Sequence, residues 1–220
     1  MLCVSQLPPN GIFVILIKFM RLSNKKILIS IAAAVIGGLV LFANGEKSSE
    51  TNGTVSSALK EKIYFKEAID KKAPDFELES ISGETVRLSE YLGKNVVLFF
   101  NEGSMCYPAC WDQIAELGND SRFDTENIAA FSIVVDSKNQ WLGIVSKSPN
   151  LSKSKILFDT SRLVSKAYDI LYLDSSMHPG SFPGHTYFII DKEGIIRFTL
   201  DDPSMALAND KLIGEIKKLK

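Results

Sequence analysis

The stretch Val96-Val97-Leu98-Phe99-Phe100-Asn101-Glu102-Gly103-Ser104-Met105-Cys106-Tyr107-Pro108-Ala109-Cys110-Trp111 decides how this chain folds. Its first five residues are continuously apolar, which predicts a strand buried on both faces. Trp111, Ile114 and Leu117 follow at helical spacing and predict an amphipathic helix. Pro108 has no N–H to lose in a first helical turn, so it suits the start of that helix. The two cysteines therefore fall at a strand-to-helix junction. A helix N-terminus offers free N–H groups and the positive end of its dipole, and both stabilise a thiolate. If both cysteines lie on the helix, their Cα atoms are roughly 6 Å apart on one face, within disulfide range. Cys106 and Cys110 are accordingly the candidate catalytic residues and the candidate redox disulfide. Cys106, nearer the helix start, is the expected attacking thiolate and Cys110 the resolving partner. A pair of buried structural cysteines, or one inert disulfide, is the plainer alternative. Zinc is a weaker one, because only His178 and His185 remain as further ligands.

Outward from this junction the pattern alternates strands with helices. Phe76–Glu79 alternates, Ser82-Gly83 turns, and Val86 and Leu88 continue the alternation, which predicts a hairpin. Ser89 is placed to cap a short helix ending at Gly93. Ile128–Val135 and Ile156–Phe158 are further apolar runs, the second followed by a helix through Asp169 with Asp159 or Ser161 as its cap. Asp191-Lys192-Glu193-Gly194 has turn chemistry between Tyr187–Ile190 and Ile195–Leu200. Leu212, Ile216 and Leu219 give a terminal helix its apolar stripe. Strands and helices in this order predict an α/β fold, a three-layer sandwich with a mixed central sheet.

Toward the N-terminus, Ile27–Ala43 is a 17-residue run without charge, preceded by Lys25 and Lys26. As a helix it spans roughly 25 Å, slightly under the typical hydrocarbon thickness, in the layout of a signal peptide or a signal anchor. Leu41 is poorly suited to signal cleavage after Ala43, so the anchor is expected to stay attached. The expected organisation is a cytoplasmic basic N-terminus (1–26, with Met20 an alternative start), a signal anchor (27–43), a tether (44–72) and a domain (73–220). The basic flank keeps the N-terminus inside, so the domain is expected outside the cytoplasm on a single-pass anchor. Ala58–Lys71 has weak helical spacing within the tether.

Composition narrows the function. The 220 residues are 45% hydrophobic and 23% charged, which argues against disorder. Lys plus Arg is 25 and Asp plus Glu is 26, so no strong positive field would draw nucleic acid. Three cysteines are too few for a disulfide scaffold, which leaves a hydrophobic core to hold the domain.

Ala73-Pro74-Asp75-Phe76, Val96–Asn101, Asp159–Asp169 and Thr186–Arg197 together resemble the thioredoxin superfamily, in its redoxin branch. That branch includes peroxiredoxins of the alkyl hydroperoxide reductase/thiol-specific antioxidant type and membrane-anchored thiol–disulfide oxidoreductases. The resemblance covers about Ala73 to Lys220. It implies a thioredoxin-like fold and an enzyme, either a thiol–disulfide oxidoreductase or a peroxiredoxin-like thiol peroxidase with an antioxidant role. Oxidoreductases of this type separate their cysteines by two residues, and here three residues intervene. Peroxiredoxins place a threonine three residues before the peroxidatic cysteine; Tyr107 and Gly103 hold those positions before Cys110 and Cys106. Where the family has its catalytic arginine this chain has His185, an expected active-site neighbour. Exchange through the dithiol fits these residues better than peroxide reduction. The resemblance implies no cofactor, a protein disulfide or thiol as partner, a peroxide as a further substrate, and no nucleic acid. The three-residue gap also resembles copper chaperones of cytochrome oxidase assembly, which implies, as the alternative, a metal site of Cys106, Cys110 and His185. Three other residues bear on the site. Trp111 is expected either to shield the sulfur or to pack in the core. Glu102 is expected as a proton acceptor near the thiol or a solvated acid, and His178 as a solvated loop residue.

Overall fold

A computed structural model describes residues 61–219 of the chain. The N-terminus 1–26, the anchor at 27–43 and the tether as far as residue 60 lie outside the described residues. Among the described residues no helix is long and apolar enough to cross a membrane.

The apolar run of the opening stretch is strand β3 (Asn95–Phe100), with all six residues buried. Successive side chains of a strand point to opposite faces. Val97 and Phe99 therefore enter one apolar cluster, and Val96, Leu98 and Phe100 enter the other. Strand β4 (Ile128–Val134) lies parallel on one side of β3, and β6 (Thr186–Ile190) lies antiparallel on the other. With β1 (Glu77–Ser80), β2 (Thr85–Arg87), β5 (Ile156–Phe158) and β7 (Ile196–Asp201) they form a seven-stranded mixed sheet in the order β2-β1-β5-β4-β3-β6-β7.

The parallel pairs β3/β4 and β4/β5 require crossovers, which helices α1 (Ala109–Asn119) and α2 (Lys138–Val145) supply. Ile114, Leu117 and Trp141 of these helices pack on Val97 and Phe99, joined by Leu212 and Ile216 of α4 (Asn209–Ile216). The opposite face is covered by Val164 and Ala167 of α3 (Leu163–Ala167), by Tyr168, and by Ile63 and Ala68. The result is the expected thioredoxin-like three-layer α/β sandwich. Both hairpins form as expected, β1 with β2 and β6 with β7. Asp159 caps α3, its carboxylate accepting the N–H groups of Val164 and Ser165. Burial nevertheless pushes the Asp159 carboxyl up, above the usual carboxylate value.

Three expectations differ from the structure. The packed domain begins at Ile63, inside the expected tether, because the Ile63 N–H binds the Ala167 carbonyl and Ile63 and Ala68 are buried. That segment holds only a single 3₁₀ turn, Phe65–Glu67. Ser89 does not cap a helix ending at Gly93. Its N–H and hydroxyl both bind the Asp75 carboxylate, and the segment is a 3₁₀ turn, Leu88–Tyr91. Helix α2 has no counterpart in the sequence reading. Trp141 is its one fully buried residue, with Ile144 and Val145 partly buried beside it, so its apolar stripe spans a single turn after the Ser137 cap.

Candidate active site

The disulfide forms where β3 ends and α1 begins. After Phe100 the chain passes through a 3₁₀ turn, Gly103–Met105, and Cys106 closes that turn by donating its N–H to the Gly103 carbonyl. Pro108 precedes α1 and Cys110 lies in its first turn, donating its N–H to the Cys106 carbonyl at 3.0 Å. Cys106 and Cys110 are bonded to each other, with Cα atoms 5.3 Å apart. Cys106 thus stands just before the helix and not on it.

A buried polar network holds the turn. The Asp136 carboxylate, from the end of β4, accepts the Ser104 N–H at 2.8 Å and the Ser104 hydroxyl at 2.9 Å. It also accepts the indole N–H of Trp141 at 2.8 Å. Asn101 Oδ1 accepts the Gly103 N–H, and Gln140 Nε2 donates to Ser104 Oγ. Neither Asp136 nor Asn101 was singled out in the sequence, because an isolated Asp or Asn after a strand carries no motif. Trp111 packs edge-on against Tyr107 and donates its indole N–H to the Gly103 carbonyl. It braces the turn from its outer side.

His185 is fully buried, and its Nδ1 lies 3.8 Å from Cys110 Sγ. Its Nε2 meets the Tyr187 hydroxyl at 2.7 Å, and Phe99 packs on both rings. Burial pushes the Tyr187 phenol well up, so it stays protonated. If Tyr187 donates to Nε2, the imidazole proton faces the sulfur; if it accepts, Nδ1 is bare toward a thiol. Pro183 and Gly184 lead into this position, and Gly184 packs so tightly on Ser175 that an added Cβ would meet Ser175 Oγ at 2.1 Å.

Glu102 is neither beside the sulfurs as a free base nor solvated. It is buried and accepts the N–H groups of Met177 at 2.6 Å and His178 at 3.0 Å and the Ser176 hydroxyl at 3.2 Å. Its second oxygen pairs with His178 Nδ1 at 3.0 Å. Glu102 therefore ties the 175–185 loop to the active-site turn. His178, read as solvated, is half exposed and held by that carboxylate. On the remaining side Met205 Sδ stands 3.9 Å from Cys106 Sγ. It sits in a turn closed by the Asp202 carboxylate, which accepts the Ser204 and Ala206 N–H groups. Met205 was not anticipated, because it lies 99 residues from Cys106 with no motif around it.

The three sequence candidates thus converge: Cys106, Cys110 and His185 form one buried cluster. A separate cleft of about 110 Å³, lined by Lys72, Leu88, Tyr91 and Ile190, lies at the other end of the central strands. Among the described residues no group of three or more His, Cys, Asp or Glu side chains is placed to hold a metal ion.

A thioredoxin-like sheet whose central strand delivers a cysteine pair to a helix N-terminus is the architecture of the redoxin class. The AhpC/TSA family model matches residues 69–199, and the chain belongs to that family. Peroxiredoxin Bcp of Bacillus subtilis is 32% identical over 128 residues, 57% of this chain and 80% of the relative. The chloroplastic 2-Cys peroxiredoxin BAS1 of Spinacia oleracea is 27% identical over 162 residues, 69% of this chain. The chain spans only 59% of that relative's length. The reduced 2-Cys peroxiredoxin of Plasmodium vivax superposes with a TM-score of 0.59 at 23% identity, covering 69% of this chain and 96% of its own, which shows the shared fold. The redoxin-branch expectation agrees with these matches, and the names of the relatives agree with a thiol-based enzyme.

Burial pulls the His185 imidazole down from 6.5 to about 4, against the opposing pull of Asp202 and the Ala206 carbonyl. Between those values the unfolded chain holds the proton and the native protein does not. The stability linked to His185 is therefore complete above pH 6.5 and lost as the pH falls toward 4, by about 3 kcal/mol in all. Urea unfolding at pH 7 and pH 4.5 should show a loss about 2 kcal/mol smaller in His185→Gln than in the native protein. Equal losses in the two proteins would assign the pH dependence to other groups.

Proposed function

We propose that this protein is a thiol-redox enzyme that cycles its Cys106/Cys110 pair between dithiol and disulfide, with protein disulfides or thiols as its main partners. The observation that carries this reading is the pair itself, joined at a helix N-terminus with His185 at 3.8 Å from Cys110. In the reducing direction the Cys106 thiolate attacks a substrate disulfide, forms a mixed disulfide and releases one substrate thiolate. Cys110 then attacks the Cys106 sulfur, closes the internal disulfide and releases the second thiolate. Cys106 suits the first role because the exposed residues Met105 and Tyr107 flank it. Cys110 suits the second because it is buried within bonding distance of the Cys106 sulfur, where it meets the mixed disulfide.

Peroxide reduction is the second reading, favoured by the peroxiredoxin relatives. In it Cys106 would take the distal peroxide oxygen as a sulfenic acid, and Cys110 would expel water in closing the disulfide. Against a high rate, residues 101–120, 169–191 and 198–210, which frame the disulfide, contain no lysine or arginine to stabilise a thiolate or polarise a peroxide. Reduced protein given insulin disulfides or hydrogen peroxide separately is expected to reduce insulin. It should consume peroxide within about tenfold of the rate of free cysteine. Peroxide consumption about a thousandfold above free cysteine, with no insulin reduction, would replace the first reading by the second.

We further propose that residues 27–43 hold the domain outside the cytoplasm as an uncleaved anchor, on the support of the uncharged run and its basic flank. A reporter fused after Lys220 should then be active only outside the cytoplasm. A soluble form starting near Asn44 would show a cleaved signal instead.

A further inference from the structure

The turn between β7 and α4 holds one side chain against the disulfide. Pro203, Ser204, Ala206 and Leu207 in it are exposed, whereas Met205 is half-buried, with its Sδ 3.9 Å from Cys106 Sγ. Met205 has φ +52°, in the left-handed region that favours glycine. Hydrogen bonds within the turn keep it there. The Asp202 carboxylate accepts the Ser204 N–H at 3.1 Å, the Ser204 hydroxyl at 2.6 Å and the Ala206 N–H at 3.1 Å. The Met205 N–H donates to the Asp202 carbonyl at 3.1 Å.

Both ends of the turn are tied to the elements that frame the cysteines. At its entry the Asp202 N–H donates to the carbonyl of His185, whose ring stands beside Cys110. At its exit the Ala208 N–H donates at 2.7 Å to Oε1 of the buried Gln113, one turn along α1 from Cys110. The thioether is therefore fixed by the same framework that fixes the two sulfurs. A methionine sulfur also has redox chemistry of its own. A peroxide transfers one oxygen to it, giving the sulfoxide, and thiols can return that sulfoxide to the thioether.

Resting on the dithiol reading above, we propose that Met205 is an oxidation site repaired within the same molecule by the reduced Cys106/Cys110 pair, so that a methionyl sulfoxide is a substrate of this dithiol. The Cys106 thiolate attacks the sulfoxide sulfur, the S–O bond breaks, and the oxygen passes to Cys106 as a sulfenic acid while Met205 regains its thioether. Cys110 then attacks the Cys106 sulfur, closes the disulfide and releases the oxygen as water. The two thiols supply both electrons and both hydrogens of that water. One sulfoxide and two thiols become one thioether, one disulfide and one water. The closed disulfide with a thioether beside Cys106 is the product arrangement.

The test uses the full-length chain with its disulfide closed, treated with hydrogen peroxide to convert methionines to sulfoxides and then freed of peroxide. Dithiothreitol is added, and peptide mass spectrometry follows Met205 and, as an internal reference, Met177, which is 53% exposed. The Met205 sulfoxide should fall at least about tenfold faster than that of Met177, because the attacking thiolate is held beside it. The rate should be unchanged on dilution of the protein. Without dithiothreitol, or in Cys106→Ser, the Met205 sulfoxide should persist. Once reduced and freed of dithiothreitol without air, the native protein should lose two thiols for each Met205 sulfoxide repaired. A Met205 sulfoxide as persistent as that of Met177, or a Met205 that resists peroxide while Met177 is converted, would overturn the inference and leave the dithiol reading intact. A rate that falls on dilution would also overturn it, by making the repair intermolecular. Failure of dithiothreitol to reduce the Cys106–Cys110 bond would overturn both.

Discussion

Replacing Cys106 by serine is expected to lower disulfide-reducing turnover by about a thousandfold or more, because the bond-forming sulfur is gone and Cys110 is sealed behind it. Both sulfurs are buried, but Cys106 lies between the exposed residues Met105 and Tyr107, whereas Cys110 packs inward against His185. Replacing Cys110 has a different signature. Cys106 can still attack a substrate disulfide, but nothing resolves the product, so Cys110→Ser should accumulate a mixed disulfide to the substrate. Intact-mass measurement after one equivalent of insulin distinguishes the two variants. Adduct on Cys110→Ser and none on Cys106→Ser supports the assignment; the opposite pattern reverses the two roles.

The second large effect is structural and falls on Gly103. Its φ is +65°, a left-handed conformation that glycine adopts at no steric cost. An added Cβ would meet Asp136 Oδ2 at 2.0 Å, Asp136 Cγ at 3.0 Å and Val134 Cβ at 3.3 Å. None of these can retreat freely, because the same Asp136 oxygen accepts the Ser104 and Trp141 N–H groups. Gly103→Ala therefore combines backbone strain with disruption of a buried carboxylate network, for an expected cost of about 3 kcal/mol or more. Gly143 and Gly214 provide the control. Both are within helices with nothing inside 4 Å of an added Cβ, so alanine there should stabilise by about 0.5–1 kcal/mol. Unfolding midpoints for the three variants check the ordering. A neutral Gly103→Ala would show that the turn tolerates a side chain by moving, and would remove Asp136 from its proposed role in holding the site.

The strands of the central sheet are legible because their burial is double-sided. Residues 96–100 and 128–134 meet a layer of helices on both faces, so each is apolar throughout except at Ser132, and the run is visible without knowing its neighbours. The junction after β3 is legible for a related reason, since an apolar run followed by a proline and a helical stripe admits few local structures. It places Cys106 and Cys110 together before any tertiary contact is known. Helix α2 is hard to read, because its apolar positions Trp141, Ile144 and Val145 cover a single turn, too short a stretch to establish a period.

Pairing distance and local order are thus determined by sequence alone. What surrounds the sulfurs is decided by the sheet. His185 reaches Cys110 because β6 lies beside β3 in antiparallel register, which puts Thr186 opposite Phe100 and the residue before it beyond the strand end. Met205 reaches Cys106 because β7 returns alongside β6 and ends at the same edge. Glu102 shows the limit most plainly. Its position in sequence suits a catalytic base, yet burial beneath the 175–185 loop satisfies both its oxygens with N–H and O–H donors of that loop. A carboxylate's role depends on which donors surround it, and the nearest of these are 74 to 76 residues away along the chain. Local patterning carries no information over that separation; only the packing of the strands brings the partners together.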